Sequence, residues 1–208
     1  MNKKRLIRTF SIIFIGLIIG GLGTYFQIKS ESSGRVATIK SAPVVASDFG
    51  GEFTLTNHLG ETVTDKDFKD KYRLIYFGFT YCPAICPTEL QKITMALKDL
   101  DAEIADQITP IFVTIDPERD TVEAMKSYVG LFHERLIGLR GTAQQTKQIA
   151  DAYKIYYARV KDDTMQDYTM DHSSFIYFMG PNDTLYRIFK VDDKADVIAA
   201  FITEHFAK

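Results

Sequence analysis

A chain of 208 residues, 46% of them hydrophobic and 25% charged, is long enough for one globular domain and an appendage. The formal net charge of −2 excludes the clustered basic surface of a nucleic-acid-binding protein, so no nucleic-acid partner is expected. The two cysteines lie four positions apart and close only a small loop. This spacing excludes a scaffold stapled by disulfides and points to chemistry at the pair.

The N-terminal segment combines a basic start with an apolar run. Four of the first nine residues are Lys or Arg, and none is acidic. Phe10–Phe26 is an uncharged run of 17 residues, about 25 Å long as a helix, which is near the lower limit for crossing a bilayer core. A cleaved signal peptide is the competing interpretation, and both interpretations export the rest of the chain. We predict an uncleaved anchor, with residues 1–28 forming a cytoplasmic flank and one transmembrane helix.

The next segment is predicted to be a tether to a single folded domain. Residues 29–42 contain few large apolar side chains, so they cannot bury much surface and should form a flexible linker. The domain is expected to span residues 43–208. Its first elements are a hairpin between residues 48 and 64 and a buried central strand over Tyr72–Phe79.

The remaining elements alternate between helices and strands. Helical spacing of apolar residues predicts a helix over Leu90–Leu100, and a second helix capped by Asp120 or Thr121 should end near Leu131. The closing helix is expected over Asp192–Phe206, capped by Asp192 or Asp193. The other expected elements are a helix over Thr142–Ala152 and strands over Ile111–Ile115, Ile155–Val160, Ser174–Met179 and Leu185–Phe189. This order predicts an α/β domain with a mixed central sheet and helices on both faces, the order of a thioredoxin-like domain.

Cys82 and Cys86 lie between the predicted central strand and the next helix, where open α/β sheets place their ligands. Pro83 and Pro87 fix the backbone after each cysteine. If Cys86 opens the helix, the helix dipole and unpaired backbone N–H groups should lower the pKa of its thiol. A pair of buried structural cysteines is the alternative, but two Cys-Pro steps at a strand–helix junction favour function.

Three chemistries use such a pair of cysteines. The thioredoxin redox motif has two intervening residues and a preceding Trp in most members, whereas three residues intervene here and Tyr81 precedes. The segment Cys86-Pro87-Thr88-Glu89 is similar to the peroxidatic segment of peroxiredoxins, but Pro83 occupies the place of the Thr or Ser that this family needs. Metal binding remains, and it requires a third ligand. Soft thiolates select copper(I), zinc or iron–sulfur clusters. Two thiolates and one further ligand are too few for a closed zinc site, which takes four, so a set of three ligands favours copper held for transfer.

The four histidines are the candidates for the third ligand. We expect His58, His133 and His205 to be polar surface groups. His172 lies in Asp171-His172-Ser173-Ser174, directly before the strand expected at Phe175–Met179. On its own, a loop histidine is more often a satisfied polar residue than a ligand.

Three motifs in this order, Cys82-Pro-Ala-Ile-Cys86-Pro, Asp116-Pro-Glu-Arg119-Asp120-Thr and Asp171-His172-Ser, give the chain its resemblance to the SCO/SenC family of copper-binding thioredoxin-like proteins. The resemblance implies that Cys82, Cys86 and His172 bind copper, as Cu(I) or Cu(II). It also implies a role in maturing the copper A centre of cytochrome c oxidase. Asp116 and Asp171 are secondary candidates, since the Asp116 motif looks like the family's acidic loop. The alternative for Asp116 is a helix cap with an Asp–Arg pair.

The function expected from this resemblance is that of a metallochaperone rather than an enzyme. Its partners would be the copper A subunit, an upstream copper donor and the membrane. The soluble domain would face the periplasm, or the intermembrane space if the protein is mitochondrial. The runner-up is a thiol–disulfide oxidoreductase that uses a redox-active Cys82–Cys86 disulfide to keep the cysteines of the oxidase subunit reduced. A third interpretation, a peroxide-consuming enzyme, predicts fast oxidation of Cys86 to sulfenic acid.

Overall fold

The structure, a computed structural model, describes residues 49–161 and 167–207. The expected anchor (1–28) and tether (29–42) lie outside these residues. Five helices are described: α1 (Ile85–Asp99), α2 (Ala102–Ala105), α3 (Val122–Val129), α4 (Ala143–Ala152) and α5 (Ala195–Phe206). The nine strands described are β1 (Thr54–Asn57), β2 (Thr62–Thr64), β3 (Tyr72–Gly78), β4 (Ile108–Thr114), β5 (Ile137–Arg140), β6 (Tyr157–Lys161), β7 (Tyr168–His172), β8 (Ile176–Met179) and β9 (Leu185–Phe189).

Seven of these strands form one mixed sheet in the order β2-β1-β5-β4-β3-β8-β9. The three central strands β3, β4 and β5 are parallel, and the outer strands add antiparallel pairs on both sides. β6 and β7 pair with each other in a separate two-stranded antiparallel sheet, which we call the β6–β7 hairpin. The mixed α/β architecture expected from the sequence is therefore confirmed.

The central strand β3 is covered on both faces. Its residues from Arg73 to Gly78 are all buried, as expected of a central strand. On one face, Gly78 lies directly under Cys86 of α1. On the other face, the ring of Phe77 lies 5.3 Å from the ring of Tyr153, which follows α4. Helices on both faces thus enclose the carboxyl end of β3, where the cysteine loop begins.

Helix α1 buries the face predicted from the sequence. Leu90, Ile93 and Leu97 are almost fully buried, as is Cys86 one turn earlier. The helix begins at Ile85 rather than near Leu90, because Ala84 is its N-cap and the helix includes both Cys86 and Pro87. Proline is tolerated in the first turn, where its missing N–H has no intrahelical partner.

The predicted cap of α3 is confirmed for Thr121, which accepts the N–H of Ala124. Other local predictions are wrong in detail. Neither Asp192 nor Asp193 caps α5, which begins after Lys194 without a side-chain cap. Strand β5 was not predicted. His172 was expected in a loop, but it is the last residue of β7, paired with Tyr157.

Candidate metal centre

The cysteine loop connects the end of β3 to the start of α1. The backbone N–H of Cys82 donates to the carbonyl of Phe79 at 3.3 Å, which turns the chain sharply after the strand. Cys86 is fully buried, whereas Cys82 is half-buried. The Sγ of Cys82 accepts the backbone N–H of Cys86 at 3.4 Å. The loop therefore turns Cys82 back over the first turn of α1, with one sulfur near the surface and one inside.

The pKa values of the two thiols are shifted in opposite directions. The lowered pKa that the sequence predicted for Cys86 is wrong. The hydrogen bond from the Cys86 thiol, helped by the backbone N–H groups of Ala84, Ile85 and Cys86, lowers the pKa of Cys82 to about 5. The same hydrogen bond to Cys82, together with burial, raises the pKa of Cys86 well above its ordinary value. The free N–H groups at the start of α1 thus stabilise the thiolate that precedes the helix, and not the thiol inside it.

His172 reaches this loop from the end of β7. Its Nε2 lies 3.6 Å from the Sγ of Cys86, although the two residues are 86 positions apart. Its Nδ1 lies 3.0 Å from the carbonyl oxygen of Ser173. A carbonyl oxygen only accepts, so Nδ1 carries the proton and the lone pair of Nε2 faces the sulfur. Burial lowers the pKa of His172 and keeps the ring neutral, which is the form that binds metals.

Aromatic residues enclose the sulfur and the imidazole. The hydroxyl of Tyr76 donates to the Sγ of Cys86 at 3.5 Å. The imidazole of His172 packs edge-on against Tyr76 and Phe79, with ring centroids 6.2 and 6.0 Å away. The sequence reasoning missed Tyr76. The signal that could have found it is the two-residue period of β3, which puts Tyr76 on the same face as Gly78 and hence beside Cys86.

The three predicted ligands are brought together, but not as a complete coordination shell. Two donors that bind one ion at about 2.0–2.3 Å lie roughly 3.5–4 Å apart, so the 3.6 Å between Cys86 Sγ and His172 Nε2 fits a shared ion. Within residues 49–161 and 167–207, however, no three His, Cys, Asp or Glu side chains already stand at metal-binding geometry. Cys82 is the side chain that remains to close the set, since it is half-buried and hydrogen-bonded to the loop backbone.

The two secondary candidates lie elsewhere. Asp116 is almost fully buried, and its two oxygens accept hydrogen bonds from Arg119 and from the hydroxyl of Tyr168. Asp171 is exposed, because alternate residues of β7 face opposite sides and His172 faces inward. The Asp–Arg pair weighed for Asp116 is present, but its partner from β7 was not foreseen.

The other histidines stay outside the site. The Nδ1 of His58 accepts the N–H of Gly138 at 3.1 Å, and the Nδ1 of His133 accepts the N–H of Arg135 at 3.2 Å. His205 is not a plain surface group as expected: it is half-buried, and its ring centroid lies 4.2 Å from that of Tyr186.

Comparisons with known proteins agree with the fold. The SCO1/SenC family model matches residues 41–207. The chain is 37% identical over 206 residues to "Protein SCO1 homolog, mitochondrial" from Homo sapiens, covering 99% of this chain and 67% of that protein. The crystal structure of Arabidopsis thaliana ScoI with copper bound matches with a TM-score of 0.70 and 34% identity, over 77% of this chain and 99% of that one. BsSco, a Sco protein in which a disulfide switch has been identified, matches with a TM-score of 0.59 and 25% identity, over 76% and 93% of the two chains.

Fold and site together define a thioredoxin-like domain with a paired-thiol and imidazole centre at the end of its central strand. The chain belongs to the SCO1/SenC family. In the part of the chain that the structure describes, no helix is long and apolar enough to span a bilayer.

Proposed function

We propose that this chain is a copper chaperone that holds copper as cargo through Cys82, Cys86 and His172 and helps to assemble the copper A centre of cytochrome c oxidase. The observation that carries the proposal is the 3.6 Å approach of His172 Nε2 to Cys86 Sγ across 86 residues. Copper bound in the related A. thaliana ScoI supports the identity of the cargo.

The donor set suits copper for chemical reasons. Two thiolates provide the soft ligands that Cu(I) prefers, and a neutral imidazole accommodates Cu(II) as well. Cys82, with its pKa lowered to about 5, is already a thiolate at neutral pH. Cys86 must lose its proton when a metal binds, so loading should release protons and require both thiols to be reduced.

The unequal burial of the two sulfurs indicates which copper ligand an acceptor protein can reach first. Cys82 is half-buried and faces the surface, whereas Cys86 is enclosed by Tyr76 and the end of β3. An acceptor thiol or imidazole can therefore reach the Cys82 side first. We propose that ligand exchange begins there, with Cys86 and His172 released later.

The location proposed for this activity follows from the N-terminal sequence and from the relatives. We propose that residues 1–28 anchor the chain in an inner membrane by a single pass and that residues 29–42 tether domain 43–208 on the periplasmic or intermembrane-space side. The human relative carries a mitochondrial designation in its name. There the domain would meet the copper A subunit and an upstream copper donor.

The test is a copper titration of the purified full chain and of three variants: Cys82→Ser, Cys86→Ser and His172→Ala. Each variant should bind Cu(II) more weakly, because each removes one of the three ligands, and the loss should be largest for the two thiolates. Thiolate-to-copper(II) charge-transfer absorption should vanish in both serine variants. Ala84→Ser, which adds a hydroxyl to the same loop but removes no sulfur, is the matched control and should bind like the parent. Tight stoichiometric binding by all three ligand variants would end the proposal.

A second function, thiol–disulfide exchange that reduces the cysteines of the oxidase subunit, is favoured by one specific observation. An accessible cysteine with a pKa of about 5 beside a buried partner with a raised pKa is the arrangement of an attacking and a resolving thiol. The disulfide switch identified in BsSco is in line with this chemistry.

Alkylation tests the lowered pKa of Cys82, and the His172→Ala variant separates the two functions. Labelling by iodoacetamide should occur at Cys82 and fall off as pH drops through about 5, because the thiolate fraction falls there. The His172→Ala variant should keep most of its thiol-exchange rate if the chain is a reductase, whereas it should lose copper affinity if the chain is a chaperone. Cys82→Ser, which leaves only the buried thiol, should remain almost unlabelled.

A further inference from the structure

The β6–β7 hairpin carries His172 but is not part of the main sheet. Its two strands pair only with each other among the residues described, and their residues are half-buried or exposed. Tyr168 and His172 are the first and last residues of β7, so they lie about 13 Å apart along the strand. Both face inward, as does Met170 between them, because alternate residues share one face. The position of the imidazole therefore depends on what holds the inner face of this strand.

Three side chains join the start of β7 to the loop between β4 and α3. The Nε of Arg119 donates to Asp116 Oδ2 at 2.6 Å, and its Nη1 donates to the carbonyl of Tyr168 at 2.8 Å. The hydroxyl of Tyr168 donates to Asp116 Oδ1 at 2.8 Å, which closes a ring of hydrogen bonds. The guanidinium of Arg119 also lies 3.7 Å from the centroid of the Tyr168 ring. Charge-assisted bonds of this kind, largely shielded from water, are stronger than exposed ones.

The loop that holds Arg119 is itself anchored to the cysteine loop. Asp120 accepts hydrogen bonds from the backbone N–H and the hydroxyl of Thr80, at 3.0 and 2.6 Å. Thr114 also donates to Asp120, and it accepts the N–H of Asp116. Thr80 is two residues before Cys82, so a continuous set of buried and partly buried polar contacts runs from the cysteine loop to β7.

We propose that Arg119, Asp116 and Tyr168 form a clamp that positions the β6–β7 hairpin so that His172 meets Cys86. The proposal rests on the proposed function for its purpose, since the imidazole matters as a copper ligand. The three residues act through the hairpin and touch no reacting atom, so they are positioning residues. They set the position of His172 Nε2 and the fraction of time that it spends beside Cys86, and they do not act on the thiols directly.

The first test needs no metal. In the full chain, Tyr168→Phe keeps the ring over Arg119 and removes only the hydroxyl bond to Asp116. Arg119→Lys keeps the charge but loses the planar fork that bonds Asp116 and the Tyr168 carbonyl at the same time. Amide hydrogen exchange of β6 and β7 should become about tenfold faster or more in Arg119→Lys, and less so in Tyr168→Phe, while exchange in β3 and β4 stays unchanged. The imidazole NMR signals of His172 should move or broaden in the same order.

The second test uses Cu(II) as the probe. Both variants should keep thiolate-to-copper charge transfer, because neither removes a sulfur, but the nitrogen superhyperfine structure of His172 should weaken in their electron paramagnetic resonance spectra. Tyr157→Phe is the matched control, since it removes a hydroxyl from the residue paired with His172 but not from the clamp. It should behave like the parent in both experiments.

The outcomes separate the two proposals. Unchanged exchange and unchanged His172 signals in both variants would overturn the clamp, and so would faster exchange spread equally over β3 and β4. Failure of the parent chain to bind copper would refute the proposed function, while the metal-free experiments would still decide the clamp.

Discussion

The thiols and the imidazole of the candidate centre are held by two regions that differ in burial and in strand pairing. Cys82 and Cys86 follow β3, whose residues are buried from Arg73 onward and which is paired on both sides by β4 and β8. His172 ends β7, a strand paired only with β6 among the residues described. The thiols are thus held by the main hydrophobic core, and the imidazole by a hairpin that depends on side-chain contacts.

Under the proposed function, this difference would let one site select its metal and still release it. The thiol pair would select the metal, because ligand softness sets that choice. A ligand on a small hairpin can separate at lower free energy than one in the core, since local opening of sparsely packed elements costs less than global unfolding. If stability is divided in this way, substitutions in the main sheet should cost more than substitutions in the β6–β7 hairpin.

The largest effect should come from a matched pair of aromatic truncations. Phe112 in β4 is completely buried, so Phe112→Ala should lower the free energy of unfolding by about 3–5 kcal/mol. Tyr157→Ala, at a half-buried position of the mostly exposed strand β6, should cost about 1 kcal/mol. Urea denaturation followed by circular dichroism measures both changes. Equal losses would contradict the division between sheet and hairpin.

The central strand β3 and the buried face of α1 could be predicted from the sequence because each depends on a local pattern of apolar residues. The run over Tyr72–Phe79 is apolar throughout, as a strand covered on both faces must be, and the helical spacing after Leu90 marks one buried face. The cysteine pair, with its two prolines, could also be placed at the strand–helix junction. His172 was singled out by its family motif, and its approach to Cys86 is a tertiary fact across 86 residues.

The remaining features depend on contacts that no local pattern encodes. Strand β7 is polar and half-buried, so neither period nor composition marks it. The expected lowering of the Cys86 pKa was wrong because the Cys86 thiol donates to Cys82 and is buried, while the backbone N–H groups of the loop also donate to Cys82. Asp120 could serve as a helix cap by sequence, but its carboxylate instead joins Thr80 to Thr114.

A smaller effect should come from a single methyl group at the end of β3. A Cβ at Gly78 would lie 2.7 Å from the Sγ of Cys86 and about 3 Å from two buried aromatic rings. Gly78→Ala should therefore cost about 1–3 kcal/mol and rotate the sulfur away from His172. Denaturation gives the first quantity, and loss of the charge-transfer band gives the second.

Gly130, which follows α3 in a right-handed helical conformation, provides the matched control. A Cβ there would come no closer than 3.3 Å to another atom, so Gly130→Ala should change stability by no more than about 0.5 kcal/mol. Similar costs at the two glycines would show that the end of β3 is less constrained than described.

The third effect concerns the buried carboxylate that ties the cysteine loop to β4. Asp120→Asn replaces one acceptor oxygen by an amide nitrogen, which leaves at least one of three donors without a partner and should cost about 1 kcal/mol. Burial raises the pKa of Asp120, so the native state binds more protons than the unfolded state above the ordinary pKa. The parent should therefore lose stability relative to the variant as pH rises through the range above 3.8.

Unfolding curves of the parent and the variant between acid and neutral pH measure this difference. Asp171→Asn, at an exposed position of β7, shows what the loss of one surface charge does and should change stability by about 0.5 kcal/mol or less. A stability difference between parent and Asp120→Asn that grows with pH would mean that the carboxylate is stabilised, rather than penalised, by its surroundings.

The smallest effect should come from the exposed contact between the same two regions. Arg159 of β6 pairs with Glu118, and both side chains are more than half exposed. Water screens such a pair, so Arg159→Ala should leave both the unfolding midpoint and the exchange in β7 nearly unchanged. Arg119 and Arg159 both lie over the ring of Tyr168, at 3.7 and 3.9 Å, so the two arginines differ mainly in burial and in their partners. If Arg159→Ala loosened β7 as much as Arg119→Lys, the hairpin would be held by surface charge, and the buried network would have no special role in presenting His172.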